Sequence, residues 1–213
     1  MIVYCCVGGP GHCVFASYSA AIFFVGGSGI TFALSAVQDI LQVSLIEHFC
    51  SVVPTNLVER LGRRKQSENN RSHLVYTRSR LVSLPHSSVC ISHILASLTP
   101  LVPQFAALIQ QSIYAPLKIS VHYTRASENP PGKDFLPPGL TLSAGRPKLG
   151  KVLDAVISRA VSYGSGVKAS MDITGVVVGV CGPTGLGDEV AQVISQVDDG
   201  RRWAVGGIEV HEE

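Results

Sequence analysis

Two glycine-containing turns are the segments of this chain best suited to bind a phosphate group. The upstream turn, Gly26–Thr31, reads Gly-Gly-Ser-Gly-Ile-Thr and follows the apolar run Phe23–Val25. Its glycines would let a phosphate approach the backbone, and the free N–H groups of a helix that begins there would attract the anion. The downstream turn, Cys181–Pro183, follows the apolar run Val176–Val180. Two such turns at the carboxyl ends of strands in one sheet are where an α/β domain binds a dinucleotide.

Taken alone, the sequence of the upstream turn is also typical of a structural turn that binds no ligand. Its glycine spacing is not the G-x-G-x-x-G fingerprint, and no acidic residue stands on a clear second strand about 20 residues further on. An added Cβ at Gly27 or Gly29 should separate the two interpretations. A phosphate-binding turn would lose its ligand while the sheet stays folded, so Gly29→Val is expected to abolish nucleotide binding at a modest stability cost. A turn that only needs a positive φ would instead lose stability.

Other side chains near these turns have a possible chemical role and a simpler structural one. Arg125 and Arg146 carry guanidinium groups that match phosphate geometry, or they are solvated loop arginines. Thr31 could donate to a phosphate as well as cap its helix, or cap the helix only. Cys181 is either part of a binding site or a buried structural thiol.

Size and composition indicate one domain with a large core. The chain has 213 residues, of which 46% are hydrophobic and 15% charged, and its net charge of +2 gives no global argument for nucleic-acid binding. The high apolar content favours a buried parallel sheet or a surface that meets a partner. Six cysteines without a small secreted framework favour reduced thiols in a cytosolic compartment.

The residue pattern alternates between strands and helices. Strands are predicted at about 20–25, 117–123, 140–142 and 176–180, and helices at about 30–42, 103–111, 149–161 and 187–198. In the last helix, Asp188 and Glu189 are expected in the first turn, where the helix dipole favours acids. This alternation predicts an α/β fold, a Rossmann-like three-layer αβα sandwich. The uncharged segment Cys13–Gln38 is long enough to span a membrane, but its central glycines favour a buried strand followed by a helix.

Residues 43–94 interrupt this pattern. Between Glu59 and Arg80 there are seven basic and two acidic residues, without helical or strand periodicity. A mostly irregular, solvated insertion is the favoured interpretation, and a basic nucleic-acid arm is the alternative, although aromatic interleaving is lacking. No metal site is predicted, because the spacing of the four potential ligands in this region matches no known pattern: Cys50, His86, Cys90 and His93.

Several motifs together resemble one family. The chain is similar to the C-terminal NADPH-binding domain of fungal ferric/cupric reductases, which are related to the NADPH oxidases within the ferredoxin-reductase superfamily. The resemblance covers about residues 8–42 and 95–213. It rests on these segments, which stand in the order found in the family: Gly8–His12, Gly26–Thr31, Tyr123–Ala126, Gly145–Pro147, Cys181–Pro183 and Val205–Glu213.

The resemblance implies a fold, a reaction and a set of site residues. Residues 1–12 would be the remnant of a linker from a flavin domain, and residues 13–213 a ferredoxin-reductase-type NADPH-binding domain with the insertion at 43–94. In the intact family NADPH passes hydride to FAD, and electrons then cross the plasma membrane through haems to ferric or cupric ions. Cys181 would lie beside the nicotinamide ring at the catalytic position. The nucleotide-binding residues would be Gly26, Gly27, Ser28, Gly29, Ile30, Thr31, Thr124, Arg125, Gly145, Arg146, Pro147, Cys181, Gly182 and Pro183.

The sequence also departs from the family pattern. We find neither the family's second sheet strand nor the short acidic turn that follows it, no flavin-binding barrel or haem-binding helices, and no aromatic extension after Glu213. The alternative is therefore a truncated, inactive fragment that binds nucleotide weakly or not at all and associates with membrane reductase chains. A cytosol-facing domain at the plasma membrane and a soluble cytoplasmic chain both remain open, as does the choice between NADPH and NADH.

Overall fold

The computed structural model describes residues 15–52, 86–93, 99–123, 136–166 and 174–213. The strands in this part of the chain are β1 (Ala20–Gly26), β2 (His86–His93), β3 (Leu117–Tyr123), β4 (Leu140–Ala144), β5 (Val176–Cys181) and β6 (Ile208–Glu212). The α-helices are α1 (Ile30–Val52), α2 (Val102–Gln111), α3 (Leu149–Gly166), α4 (Thr184–Ser195) and α5 (Asp199–Ala204). Short 3-10 turns stand at Phe15–Ser17, Gly27–Gly29 and Thr99–Leu101.

The six strands form one sheet in the order β4-β3-β2-β1-β5-β6. Every pair of neighbours in it is parallel. All residues of β1 are buried, which is typical of a central parallel strand covered by helices on both faces. The strand order therefore places β1 and β5 side by side, although they are far apart in the sequence.

Helices cover both faces of this sheet. On one face Ala21, Phe23 and Val25 of β1 pack with residues of α1 and α2. On the other face Ala20, Ile22 and Phe24 pack with residues of α3 and α4. The fold is thus an α/β three-layer sandwich of the Rossmann-like type, as the alternation of strands and helices predicts.

The second strand is the main correction to the sequence analysis. We had found no strand within residues 43–94, but β2 lies there and pairs along its length with β1 and β3. Its sequence, His-Ser-Ser-Val-Cys-Ile-Ser-His, lacks a continuous apolar run. Pairing on both sides nevertheless buries Ser88 and Val89, so tertiary context overrides the weak local strand preference.

The helix α1 also extends into the predicted insertion. It continues to Val52 rather than ending near residue 42, because no glycine or proline interrupts residues 43–52. The rest of the predicted insertion, residues 53–85 and 94–98, lies outside the described residues. So do the proposed linker remnant 1–12 and the side chains of Cys50, His86, Cys90 and His93.

The predicted start of the helix near residue 187 was wrong. The helix α4 begins at Thr184, directly after Pro183, and its first turn contains no acidic residue. Asp188 and Glu189 therefore lie in the second turn. Gly185 and Gly187 stand in the first turn of α4, although glycine has a low helix propensity.

One helical stretch in the described part of the chain, Gly27–Ile46, is long and apolar enough to cross a membrane by length and composition. Half of that stretch is buried inside the fold. As expected from the sequence, the uncharged segment forms the strand β1 followed by the helix α1 within its described residues.

Candidate functional site

The two predicted turns meet at the carboxyl edge of the sheet. In the register of the parallel pair β1–β5, Val25 lies beside Cys181, so the upstream turn (Gly26–Thr31) and the downstream turn (Cys181–Pro183) leave adjacent strands. The upstream turn leads into α1 on one face of the sheet, and the downstream turn leads into α4 on the other. The order of the strands reverses at this point, and open α/β sheets bind ligands in the crevice at such a switch point.

Three glycines allow the two turns to touch. A Cβ added at Gly29 would lie 2.7 Å from the carbonyl carbon and 2.9 Å from the Sγ of Cys181. A Cβ at Gly182 would lie 3.1 Å from the backbone nitrogen of Gly26, and one at Gly26 would lie 3.1 Å from Cδ of Pro183. These glycines are therefore explained by close packing of one turn against the other, and an added methyl group at Gly29 would collide with the protein itself.

Gly27 has a different environment. Its φ is +59°, in the left-handed region that favours glycine, and no heavy atom lies within 4 Å of the position that its Cβ would take. Gly27, Ser28 and Thr31 are exposed, whereas Gly29 and Ile30 are buried. The outward side of the upstream turn thus leaves the room in front of its backbone that an approaching phosphate needs.

Thr31 orders this turn from within. Its Oγ1 donates a hydrogen bond to the carbonyl of Ser28 at 3.1 Å. Thr31 is the second residue of α1, so it does not occupy the N-cap position that one of our interpretations gave it. The first turn of α1 contains no acidic residue, and its dipole is left to attract an anion.

The downstream turn lies beside carboxylates of its own chain. Cys181 is half-buried. Burial raises the pKa of its thiol, and the negative charge of Glu213 raises this pKa further, so the thiol stays protonated. The backbone nitrogen of Glu213 donates to the carbonyl of Val180 at 2.9 Å. The neighbouring carboxylate of Glu212 packs on Gly187, where an added Cβ would lie 2.8 Å from its Cδ.

These closing residues are not among the site residues predicted from the sequence. The strand β6 carries them to the downstream turn because Gly179 pairs with His211 and Val180 with Glu212. His211 stacks on Phe32, and its Nε2 lies 3.7 Å from Oε1 of Glu213. The only signal for them in the sequence was the likeness of Val205–Glu213 to the family's closing segment.

The third predicted loop, Gly145–Pro147, leaves the outer strand β4 at the same edge. Three strand spacings separate β4 from β1, or about 14 Å. Gly145 has a φ of +89° and donates to the carbonyl of Tyr123 at 2.9 Å. Arg146 and Glu189 form an exposed ion pair at 3.7 Å, and a pair of this kind contributes little stability, so the guanidinium can exchange partners. Thr124 and Arg125 lie outside the described residues.

His122, near the end of β3, adds no positive charge to this edge. Burial lowers the pKa of its imidazole, which favours the neutral form at pH 7. Its Nδ1 is buried and has no hydrogen-bond partner among the described residues.

The opposite edge of the sheet contains a cavity of about 570 Å³. It lies between the segments that precede β1, β5 and β6, and Tyr18 donates a hydrogen bond to Glu209 beside it. None of the predicted site residues lines it. Within the described part of the chain, no three His, Cys, Asp or Glu side chains are grouped so that they could hold a metal ion.

Comparisons with known proteins find similarity among solved structures. No family model matches the chain, and no curated protein matches it. Among solved structures, the chain is similar to flavohemoglobin from Malassezia yamatoensis, whose crystal structure has bound FAD and heme, at 12% identity and a TM-score of 0.42. The likeness covers 92% of this chain and 32% of that protein, so the chain spans about a third of its length.

Proposed function

We propose that this chain binds a nicotinamide dinucleotide across the switch point between β1 and β5. The observation that carries the proposal is the direct contact of the upstream and downstream turns at the carboxyl edge of neighbouring parallel strands. The pyrophosphate would lie against Gly27 and Ser28, where the backbone is open and the N-terminus of α1 supplies a favourable dipole. The ring half of the nucleotide would extend over the downstream turn.

The resemblance of the motifs supports a more specific role. We infer that the chain is the NADPH-binding portion of a ferric-chelate or cupric reductase. NADPH would give up a hydride, one proton with two electrons, to a flavin held by a partner domain and would leave as the oxidised nucleotide. This chain's own part is to bind and orient NADPH at the cytosolic side of a membrane reductase that supplies FAD and haem.

The presence of β2 removes one of the departures that had favoured an inactive fragment. The second strand occupies its place between β1 and β3, so the sheet is continuous across the described part of the chain.

Calorimetric titration of the folded chain with NADPH and NADH tests the binding function. We expect a measurable heat of binding for NADPH. The affinity should be lower for Gly27→Asn than for the unsubstituted chain, and lower still for Gly27→Asp. The two substitutions are matched, because Asn and Asp have the same size and both tolerate a positive φ. Only the Asp variant places a negative charge beside the pyrophosphate, so the affinity of this variant for NADPH should be about tenfold lower than that of the Asn variant.

The outcomes separate the alternatives. Equal affinity of both folded variants and the unsubstituted chain would contradict the position of the pyrophosphate. Negligible heat with both nucleotides would mean that the chain is a fragment without the binding function. An absorption spectrum of the chain purified from membranes then tests the reductase assignment, which requires co-purified flavin and haem.

A further inference from the structure

The two acids that close the described chain lie on either side of the downstream turn. Successive residues of a strand point to opposite faces of a sheet, and the contacts of these residues agree with that rule. Glu212 packs on Gly187 of α4 on one face. Glu213 stands beside His211 on the other face, the face that Cys181 and Phe32 share.

This end of the crevice carries little compensating positive charge. The exposed cation Arg146 pairs with Glu189 of α4 and not with either of the two closing carboxylates. His211 offers Glu213 a positive charge only when its imidazole is protonated. Both carboxylates are exposed at the edge of the sheet, and their field extends over the downstream turn.

We infer that Glu212 and Glu213 make this site favour the oxidised, positively charged nicotinamide ring over the reduced, neutral one. The inference rests on the proposed function and deepens it. The two redox forms of one nucleotide carry the same phosphates and differ by one positive charge on the ring. A carboxylate near the ring therefore attracts only the oxidised form, while its repulsion of the phosphates is common to both.

The upstream turn favours the opposite charge, that of the pyrophosphate. Its open backbone and the acid-free first turn of α1 suit the pyrophosphate, and the acids disfavour phosphate at the downstream turn. Charge thus sets the direction in which the dinucleotide lies across the crevice as well as the redox state that it prefers.

The test compares the dissociation constants of NADP+ and NADPH for the full chain and for E212Q/E213Q at pH 8, where an ordinary imidazole is neutral. We expect the ratio of the NADPH constant to the NADP+ constant to fall by about three- to tenfold in the double variant. The control is E209Q, which removes one acid from the opposite end of β6, where Glu209 accepts a hydrogen bond from the Tyr18 hydroxyl. That ratio should stay unchanged in E209Q and should fall when salt is added to the unsubstituted chain.

An unchanged ratio in E212Q/E213Q, with both nucleotides still bound, would overturn the inference and leave the proposed function standing. An equal change in E209Q would also overturn it, because the effect would then come from net charge. Failure of the unsubstituted chain to bind either form would overturn the proposed function and, with it, this inference.

Discussion

The upstream and downstream turns both end a buried strand of one parallel sheet, yet they present different surfaces. The upstream turn exposes Gly27 and Ser28 before the acid-free first turn of α1. The downstream turn has Glu212 and Glu213 beside it, carried there by β6. Similar glycine-containing turns therefore suit opposite charges, and the neighbouring strand decides which charge each turn accepts.

Glycine also serves two different purposes in these turns. Gly29 and Gly182 are glycines because the opposite turn leaves no room for a side chain, whereas Gly27 faces open space. Substitutions at these positions should therefore fail for different reasons.

The largest effect is expected at Gly29. Gly29→Ala places a methyl group against the backbone of Cys181 and should lower the free energy of unfolding by about 3 kcal/mol, the upper end of what overpacking costs. Gly27→Ala should lose only about 1 kcal/mol, from left-handed backbone strain. Urea unfolding of both variants measures the difference. Equal losses of stability would contradict the packing of the two turns. This expectation replaces our sequence-based one that Gly29→Val mainly abolishes binding.

A smaller effect should distinguish the hydroxyl groups of the two turns. Ser28→Ala removes an exposed hydroxyl from the upstream turn and should weaken NADPH binding about fivefold, the typical value of one hydrogen bond. Thr184→Ala removes the hydroxyl group of the residue that directly follows the downstream turn and should change the affinity less than twofold. Calorimetry on both variants provides the test. The assignment of phosphate to the upstream turn is wrong if Thr184→Ala has the larger effect.

The smallest effect concerns the Cys181 thiol. Because its pKa is raised in the folded chain, the folded state retains a proton that the unfolded state loses first as the pH rises. Stability from this group is complete below the ordinary thiol pKa and is lost as the pH rises through the folded value. At about pH 8.5, close to the ordinary thiol pKa, iodoacetamide should label Cys181 more slowly than a thiol in an unstructured peptide.

Glu213→Gln should speed the labelling of Cys181 only in part, because burial is the larger cause of the shift. Mass spectrometry of the Cys181 peptide separates it from the other five cysteines, and Glu209→Gln serves as the control. Labelling of the unsubstituted chain at the peptide rate would contradict the protected environment of the downstream turn.

Much of this arrangement could be predicted because its signals are local. The strand β1 is a continuous apolar run, and the upstream turn and the start of α1 follow it directly in the sequence. The same holds for the run that forms β5 and for the turn that follows it. Local signals of this kind were enough to predict the α/β fold. The meeting of the two turns was expected from the general rule that α/β sheets bind dinucleotides at the carboxyl ends of their strands.

The rest depends on contacts between distant segments. His86–His93 becomes a strand because β1 and β3 pair with it on both sides. The reason for glycine at position 29 lies in the backbone of Cys181. Glu212 reaches the site only through its pairing with Val180. None of these contacts leaves a pattern within a short stretch of sequence.

The most direct test of the central claim is an NMR titration of the glycine-labelled chain with NADPH. If the dinucleotide binds across the two turns, the backbone amides of Gly27 and Gly29 should shift most, and that of Gly182 should shift next. The amides of Gly175, Gly206 and Gly207, which line the cavity at the opposite edge, should not move. Shifts confined to those three glycines, or no shifts at any glycine, would contradict a nucleotide site at the switch point.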